Sequence, residues 1–181
     1  SVLDAGCCTG RLGMDTPAHV VGVDFSSTML RKAASRLDGV AQGSVVDGLP
    51  FADESFDAVT NINVLYAIGE GYPRALAEMH RVTKFGGVLY LANPVSEDLL
   101  PLVREHFRTS SWREIVRSIA SLPRFIAWMV NLAIRSRYTE SDFLYLEEAD
   151  LVKAIEDAGF AVESIEPTYA GIDRLVVARK E

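Results

Sequence analysis

The sequence predicts an α/β protein built on a doubly wound, mostly parallel sheet. Short apolar runs with strand character alternate with helical segments along most of the 181 residues, which is typical of a parallel sheet with helices on both faces. Hydrophobic residues make up 49% of the chain and charged residues 24%, a globular balance in a chain with room for one core. The last two strand-like runs are joined by a short glycine-containing loop, so we expect them to pair antiparallel at an edge.

Seven strands are predicted from these runs, and each is bounded by turn or helix signals. The second is apolar throughout, with Val20, Val21 and Val23, as expected of a strand that is buried on both faces. The seven predicted strands are residues 2–4, 19–24, 41–46, 56–61, 88–93, 161–166 and 173–178.

Helical spacing of apolar residues predicts helices between the strands. Ser26 or Ser27 should cap the first of them, since serine accepts a hydrogen bond from a free N–H group of the first turn. A second helix is predicted over residues 73–84. It has a proline early and Gly86-Gly87 after its end, the usual asymmetry of helix termini. A third is predicted over residues 147–158.

Residues 95–138 differ in character from the rest of the single domain predicted over residues 1–181. They contain two or three helical runs, broken at Pro101 and Pro123, with no strand between them. Seven arginines against four acids give this segment a net charge of +3 and leave −10 on the remainder. We expect a helical cap over an apolar acceptor, because the segment follows the fifth strand. Packing on the sheet, a homodimer interface and reversible docking on an anionic membrane are the alternatives.

The composition indicates which binding partners and which cellular compartment to expect for this protein. A net charge of −7 disfavours a nucleic-acid partner, because binding to phosphates needs a basic surface. Cys7 and Cys8 are adjacent, so they are a poor disulfide pair and a poor zinc site; we expect no metal and a reducing, cytoplasmic compartment. No apolar run approaches the roughly 18 residues of a membrane span, so no stable membrane insertion is expected. Ser1 leads directly into a strand, and we expect the chain to lack an N-terminal element.

The strongest local signal is the run VLDAGCCTG at residues 2–10. A strand that ends in a turn of small residues presents free backbone N–H groups to a ligand and lets that ligand approach closely. Asp24 ends the second strand, where an acid can hydrogen-bond both hydroxyls of a ribose. Together they predict an adenosine-type cofactor. The G-x-G-x-x-G pattern of nicotinamide enzymes is missing, because Cys8 stands where the second glycine belongs.

Residues 3–10, LDAGCCTG, resemble the first motif of the class I S-adenosylmethionine-dependent methyltransferases, hydrophobic-Asp-x-Gly-Cys-Gly-Thr-Gly. This resemblance implies a Rossmann-like fold, S-adenosyl-L-methionine as cofactor, and methyl transfer to an acceptor that we expect to be small and apolar. A cofactor-binding partner or scaffold of the same fold is the alternative. Further matches follow in the family's order, at residues 22–26, 29–30, 49–51, 54–57, 78–82, 86–87 and 158–160.

The resemblance also implies roles for residues of the turn and the second strand. Gly6, Cys8 and Gly10 would line the methionine half of the cofactor. Asp4 would help to hold the cofactor's amino group through the turn, and Asp24 would accept the ribose hydroxyls.

Five further residues are assigned by the same resemblance. Phe25 and Met29 would pack on the adenine. Val45 lies where the family often has an acid for the adenine amino group. Asn61 and Ile62 would lie beside the sulfonium, at the end of the fourth strand.

No residue stands out as a catalytic acid or base. Tyr66, just after the fourth strand, is a candidate for a role near the acceptor. Methyl transfer from a sulfonium mainly requires alignment of the reactants and exclusion of water, so a general base is needed only where the acceptor must lose a proton.

Overall fold

The computed structural model describes residues 1–14, 16–95, 108 and 143–181. Within these residues seven strands form one sheet, which confirms the predicted α/β class. The strands are β1 Val2–Ala5, β2 Val20–Asp24, β3 Gly39–Gln42, β4 Phe56–Ile62, β5 Thr83–Pro94, β6 Phe160–Thr168 and β7 Asp173–Lys180.

The order of strands across the sheet is β3-β2-β1-β4-β5-β7-β6. β1 pairs in parallel with both β2 and β4, and the parallel pairing continues from β2 to β3 and from β4 to β5. β7 pairs antiparallel with β5 and with β6, so the predicted hairpin at the edge is confirmed. The chain moves outward from β1 to β3 and then returns to β4, so the strand order reverses between β1 and β4. Ligands of doubly wound sheets bind at such a point.

Three α-helices accompany the sheet in the described residues: α1 Ser27–Ala33, α2 Tyr72–Val82 and α3 Glu148–Asp157. Of the two serines considered as the cap of α1, Ser26 is the one, and its hydroxyl accepts a hydrogen bond from the Met29 N–H at 3.4 Å. Short 3₁₀ turns lie at Leu12–Met14, Leu65–Gly71 and Tyr169–Gly171. No described helix is long and apolar enough to cross a membrane.

The core has two parts, one on each face of the sheet. The larger part packs α2 and α3 against one face and includes Leu3, Val59, Met79 and Leu151, all fully buried. On the other face α1 covers a smaller cluster that comprises Cys7, Val20, Leu30, Ala33 and Leu37. Helices on both faces are what the doubly wound prediction requires.

Two strand boundaries differ from the prediction. β3 lies at Gly39–Gln42 rather than 41–46, because the chain turns where the Ser44 hydroxyl accepts a hydrogen bond from the Val46 N–H at 3.2 Å. β5 begins at Thr83 instead of residue 88, because the chain becomes extended there and pairs with Phe56 of β4.

The predicted helical insert, residues 95–138, lies outside the described residues apart from Val95 and Arg108.

Candidate functional site

A cavity of about 550 Å³ opens at the carboxyl ends of β1 to β4. Its volume is within the usual range for small-molecule sites, and it lies where the strand order reverses. The described residues that line it are Gly6, Cys8, Val23, Asp24, Phe25, Gly43, Ser44, Val45, Ile62, Asn63, Val64, Ala67, Ile68 and Phe143.

The turn after β1 is fixed by hydrogen bonds to the end of β2. The N–H groups of Gly6 and Cys7 both donate to the Val23 carbonyl, at 2.8 and 2.9 Å. The Cys8 N–H donates to Asp24 Oδ2 at 3.0 Å, and the Gly10 N–H donates to the Cys7 carbonyl at 2.8 Å. The expectation that this turn offers free N–H groups is therefore wrong for these four residues, because β2 and its terminal carboxylate lie close enough to accept them.

Backbone conformation explains the small residues of this turn. Gly6 has a φ of +88°, and a Cβ added to it would lie 2.4 Å from Val64 Cγ2. Cys8 also adopts a left-handed conformation, with a φ of +48°, which is costly for a residue with a side chain. Its thiol is exposed, and its Sγ lies 3.8 Å from Met29 Sδ. Cys8 thus occupies the position of the motif's second glycine, and the backbone conformation there is strained for a residue with a side chain.

Asp24 is the polar side chain best placed to hold a ligand in this cavity. Its side chain is held at both oxygens, because Oδ2 accepts from the Cys8 N–H and Oδ1 accepts from the Ser26 N–H at 2.8 Å. A carboxylate oxygen can accept more than one hydrogen bond, so both oxygens retain capacity for a ligand's hydroxyl groups. Asp24 is therefore a rigid acceptor with a fixed direction.

Asp4 lies near the carboxyl end of β1 and is not part of the described cavity lining. The carboxyl group is 6% exposed and accepts a hydrogen bond from the Thr60 hydroxyl at 3.2 Å. Burial raises the pKa of Asp4 to about 6; the bond from Thr60 opposes this rise and the charge of Asp24 adds to it. Among the described residues that line the cavity there is no lysine, arginine or histidine. Asp24 is the one carboxyl group of the described lining, and the absence of a cation beside it there favours a positively charged ligand over a phosphate-bearing one.

The wall near β2 and β3 is largely apolar. Phe25 is 76% exposed and Val45 is buried, and both line the cavity. The carbonyl of Phe25 accepts a hydrogen bond from the Gln42 side chain at 3.0 Å, which ties the two strand ends together. Met29 does not line the cavity; it contacts Cys8 from α1.

The opposite wall follows β4 and ends in an aromatic group. Phe143 is 47% exposed and lines the cavity. Its ring stacks on Tyr66, with ring centroids 5.4 Å apart. The N–H of Leu144 donates to the Tyr66 carbonyl at 2.9 Å, and the N–H of Tyr66 donates to Asn93 Oδ1 at 2.9 Å. Tyr66, the predicted candidate near the acceptor, supports Phe143 from outside the described lining.

Six of the ten predicted cofactor residues line the cavity: Gly6, Cys8, Asp24, Phe25, Val45 and Ile62. Their contacts with a cofactor stay predictions. The other four do not line it. Asp4 and Met29 are described above, and Gly10 and Asn61 serve the framework of the site.

Gly10 is not among the described lining residues and lies against α1, so its contact with the cofactor stays a prediction. A Cβ on Gly10 would lie 3.1 Å from the Ala33 Cα atom. Asn61 is fully buried, and its Nδ2 donates to the Ala5 carbonyl at 2.8 Å, joining β4 to the end of β1. In the described part of the chain its Oδ1 has no hydrogen-bond partner.

Sequence reasoning missed several lining residues. Asn63 and Val64 directly follow β4, so the general rule that ligands bind at the carboxyl ends of strands could have indicated them. Ala67, Ile68 and Phe143 carry no motif. Phe143 in particular reaches the cavity from beyond a segment of more than forty residues, and no local pattern predicts that return.

Residues 3–91 match the family model described as a methyltransferase domain. The demethylmenaquinone methyltransferase of Renibacterium salmoninarum is 33% identical over an alignment that covers 99% of this chain and 74% of that protein. The malonyl-[acyl-carrier protein] O-methyltransferase of Erwinia pyrifoliae is 38% identical over 68% of this chain, and the match spans 46% of that protein's length.

The same fold occurs in a solved structure of a methyltransferase that depends on S-adenosylmethionine, from Thermotoga maritima. It superposes with a TM-score of 0.67 at 20% identity and covers 99% of this chain and 82% of that one. The chain therefore belongs to the class I S-adenosylmethionine-dependent methyltransferases, and its cofactor is S-adenosyl-L-methionine.

Proposed function

We propose that this enzyme transfers a methyl group to a small, largely apolar acceptor that binds between the end of β4 and Phe143. The observation that carries the proposal is the character of the cavity. It combines a rigid carboxylate, Asp24, with walls that are apolar over most of their described surface. Such walls exclude water and suit an apolar ligand.

In this proposal different parts of the cavity contact the adenine, the ribose and the methionine half of the cofactor. Phe25 and Val45 pack on the adenine, and the Asp24 carboxylate accepts hydrogen bonds from the ribose hydroxyls. Gly6 and Cys8 lie along the methionine half, where the absence of a Cβ on Gly6 lets the Val64 side chain lie against the turn. The carboxyl groups of Asp24 and Asp4 then stabilise a cation in the cavity.

The chain's own residues contribute alignment rather than covalent chemistry. When bound, the cofactor supplies an electrophilic methyl group on a positively charged sulfur. Ile62, Val64 and Phe143 form the apolar surface that would orient the acceptor and exclude water from it. Tyr66 holds the Phe143 ring in place through the stacking contact.

Three wider expectations belong to the same proposal. In the sequence, residues 95–138 follow β5 and precede Phe143, which supports a cap on the acceptor, with homodimer formation through this segment as the competing role. The expected partner is a small molecule and not a nucleic acid. Cys7 and Cys8 are both free thiols, as a reducing compartment such as the cytoplasm would keep them.

An acceptor screen that detects release of S-adenosylhomocysteine tests this function. We expect turnover with an apolar acceptor and loss of turnover in Phe143→Ala, with Phe85→Ala as control, since Phe85 is an exposed phenylalanine that does not line the cavity. Full turnover in Phe143→Ala would contradict the placement of the acceptor. Cofactor binding without turnover on any acceptor would favour the scaffold alternative.

A further inference from the structure

One face of the sheet carries apolar side chains that the described part of the chain leaves half-exposed. Side chains alternate between the two faces of a strand, and the registers of β1, β4, β5 and β7 bring the residues concerned side by side. Ile62 and Tyr90 are 42% and 41% exposed, and the others are intermediate in burial. This surface, called the open face below, comprises Val2, Ala58, Ile62, Tyr90, Leu175 and Val177.

The opposite face of the same strands is fully covered. Val59 of β4, Leu89 and Leu91 of β5 and Val176 of β7 are all 0% exposed, in the core that they share with α2 and α3. Where one face of a sheet meets solvent, the side chains on that face are normally polar. The valine, leucine, isoleucine and tyrosine side chains of the open face therefore indicate a surface that another part of a protein covers.

A groove of about 330 Å³ lies over the open face. Leu12 and Thr16 border it from the connection between β1 and β2. Ile62 lines both this groove and the cofactor cavity. The open face thus adjoins the cavity at the end of β4.

The chain between Val95 and Phe143 starts and ends beside this surface. Val95 follows β5, and its N–H donates to the Ile172 carbonyl at 3.0 Å, while Phe143 lines the cavity at the same edge of the sheet. From Ala58 to Ile62 the open face is about 13 Å long at the usual rise of a strand, so one pass across it needs about nine residues of helix. The more than forty residues in between are enough for one pass away from this edge and one pass back.

The sequence of this segment fits an apolar, covered surface. Its net charge of +3 opposes the −10 of the remaining chain, whereas two copies of the protein, each at −7, repel one another. Attachment at both ends also gives the segment a high effective concentration at its own sheet. Its apolar residues recur at helical spacing on either side of Pro123: Trp112, Ile115, Ile119, Leu122, Phe125, Ile126, Trp128, Met129, Leu132 and Ile134.

We propose that the open face is the docking surface for residues 112–134 of the same chain. Apolar side chains of this segment pack on Ala58, Tyr90 and Leu175 and complete the covering of the sheet on the side of α1. This inference goes beyond the proposed function, since it does not depend on the acceptor. It is compatible with the expected cap, because a segment docked here adjoins the cavity at Ile62.

Photo-crosslinking in the purified full chain tests this contact. p-Benzoylphenylalanine is incorporated in place of Tyr90, and irradiation joins it to a neighbouring C–H group. Peptide mapping by mass spectrometry should find crosslinks to residues 112–134 in the monomeric product. The control carries the same probe in place of Phe85, which is 75% exposed on β5 and does not line the groove; it should give no crosslink to this segment.

Tryptophan fluorescence provides a second readout, because both tryptophans of the chain, Trp112 and Trp128, lie in the segment. Tyr90→Lys and Leu175→Lys each place a charge in the open face, which an apolar segment cannot cover without cost. We expect emission at longer wavelength and stronger quenching by acrylamide in these two variants, and no change in Phe85→Lys. Calorimetric titration of S-adenosylhomocysteine checks that each variant is folded, since none of the three positions lines the cofactor cavity.

Crosslinks from position 90 that join two copies, that reach only other parts of the chain, or that do not form would overturn the proposal. Unchanged tryptophan emission in both open-face variants, with S-adenosylhomocysteine still bound, would also overturn it. If the lysine variants do not fold, the crosslinking result decides, because p-benzoylphenylalanine keeps an aromatic ring at position 90. Absence of S-adenosylhomocysteine binding in the unsubstituted protein would contradict the proposed function and leave the docking surface in place.

Discussion

The carboxylate of Asp24 accepts a hydrogen bond from the backbone N–H of Cys8 at 3.0 Å. This contact joins the end of β2 to the turn after β1 and therefore fixes two walls of the cavity relative to each other. The bond requires that the Cys8 N–H point towards the end of β2, and Cys8 makes it with its backbone in the left-handed conformation. The residue that breaks the family's glycine pattern is thus in direct contact with the acid proposed to bind ribose.

Replacement of Cys8 by glycine should be tolerated or mildly stabilising. A left-handed residue with a side chain costs about 1–2 kcal/mol, and glycine loses about 0.5–1 kcal/mol of that gain through the greater freedom of the unfolded chain. We expect the free energy of unfolding of Cys8→Gly to rise by up to about 1 kcal/mol, measured by urea denaturation, with cofactor affinity kept or improved.

Cys8→Ala is the control for this substitution, because it removes the thiol and keeps the strained Cβ. It should show the stability of the unsubstituted protein. A large loss of cofactor affinity in both variants would show that the Cys8 thiol makes a contact that the present account lacks.

Replacement of Gly6 by alanine should be strongly destabilising, for two separable reasons. The φ of +88° disfavours any side chain, and the new Cβ would lie 2.4 Å from Val64 Cγ2. Gly171→Ala is the matched control, since Gly171 has a φ of +87° but no atom within 4 Å of the position of its Cβ. We expect a loss of about 1–2 kcal/mol in the control and a further 1–3 kcal/mol or so in Gly6→Ala from overpacking.

Equal losses of unfolding free energy in the two glycine variants would contradict the close approach of Gly6 and Val64. Val64→Ala in the Gly6→Ala background should recover part of the difference, because it removes the methyl groups that the new Cβ meets.

Asp4 should make the protein more stable as the pH falls below neutrality. Its pKa is raised from 3.8 to about 6 in the folded state, so the folded state binds the proton more tightly than the unfolded state. The resulting contribution to stability is fully present below about pH 4 and is lost as the pH rises through about 6. A shift of about two pH units corresponds to roughly 3 kcal/mol.

Asp4→Asn removes this titration, so it should be the more stable protein at pH 7.5 and should lose the slope between about pH 4 and 6. Thermal unfolding of both proteins across this range provides the measurement. Parallel stability profiles for the two proteins would show that the Asp4 carboxyl group is not perturbed by its burial.

Arg81 should stabilise the protein by holding the chain that follows β3. Its guanidinium donates to the carbonyls of Leu49 and Phe51, at 3.0 and 2.8 Å, and pairs with Glu78 and Asp53. Lysine cannot reproduce this fork of donors, so Arg81→Lys should lower the free energy of unfolding by about 2 kcal/mol, the sum of two or so net hydrogen bonds.

The control for Arg81→Lys is Arg31→Lys on α1, where the side chain is exposed and bonds to Thr28. This change should cost no more than about 0.5 kcal/mol. Similar losses in chemical denaturation of the two variants would contradict the framework role of Arg81.

The sequence predicted the sheet and part of the site, for reasons that individual residues make clear. Asp24 and Gly6 were identified because a strand end followed by a turn of small residues is a pattern of neighbouring residues. Such a pattern can be recognised from the sequence alone. The position of β3 and the start of β5 were misplaced for a different reason. A hydrogen bond from the Val46 N–H to the Ser44 hydroxyl turns the chain after β3, and the pairing of Thr83 with β4 sets the start of β5. Phe143 was missed because only the tertiary fold returns it to the cavity.

The measurement that tests the central claim most directly is calorimetric titration of S-adenosylhomocysteine into the unsubstituted protein, Asp24→Ala and Asp157→Ala, with NAD as a second ligand. Asp157 provides the same substitution on an exposed part of α3, away from the cavity. We predict that S-adenosylhomocysteine binds the unsubstituted protein and Asp157→Ala equally, that NAD does not bind, and that Asp24→Ala loses about 1–3 kcal/mol of binding free energy. Unchanged affinity in Asp24→Ala, with the variant still folded, would contradict the account of the site.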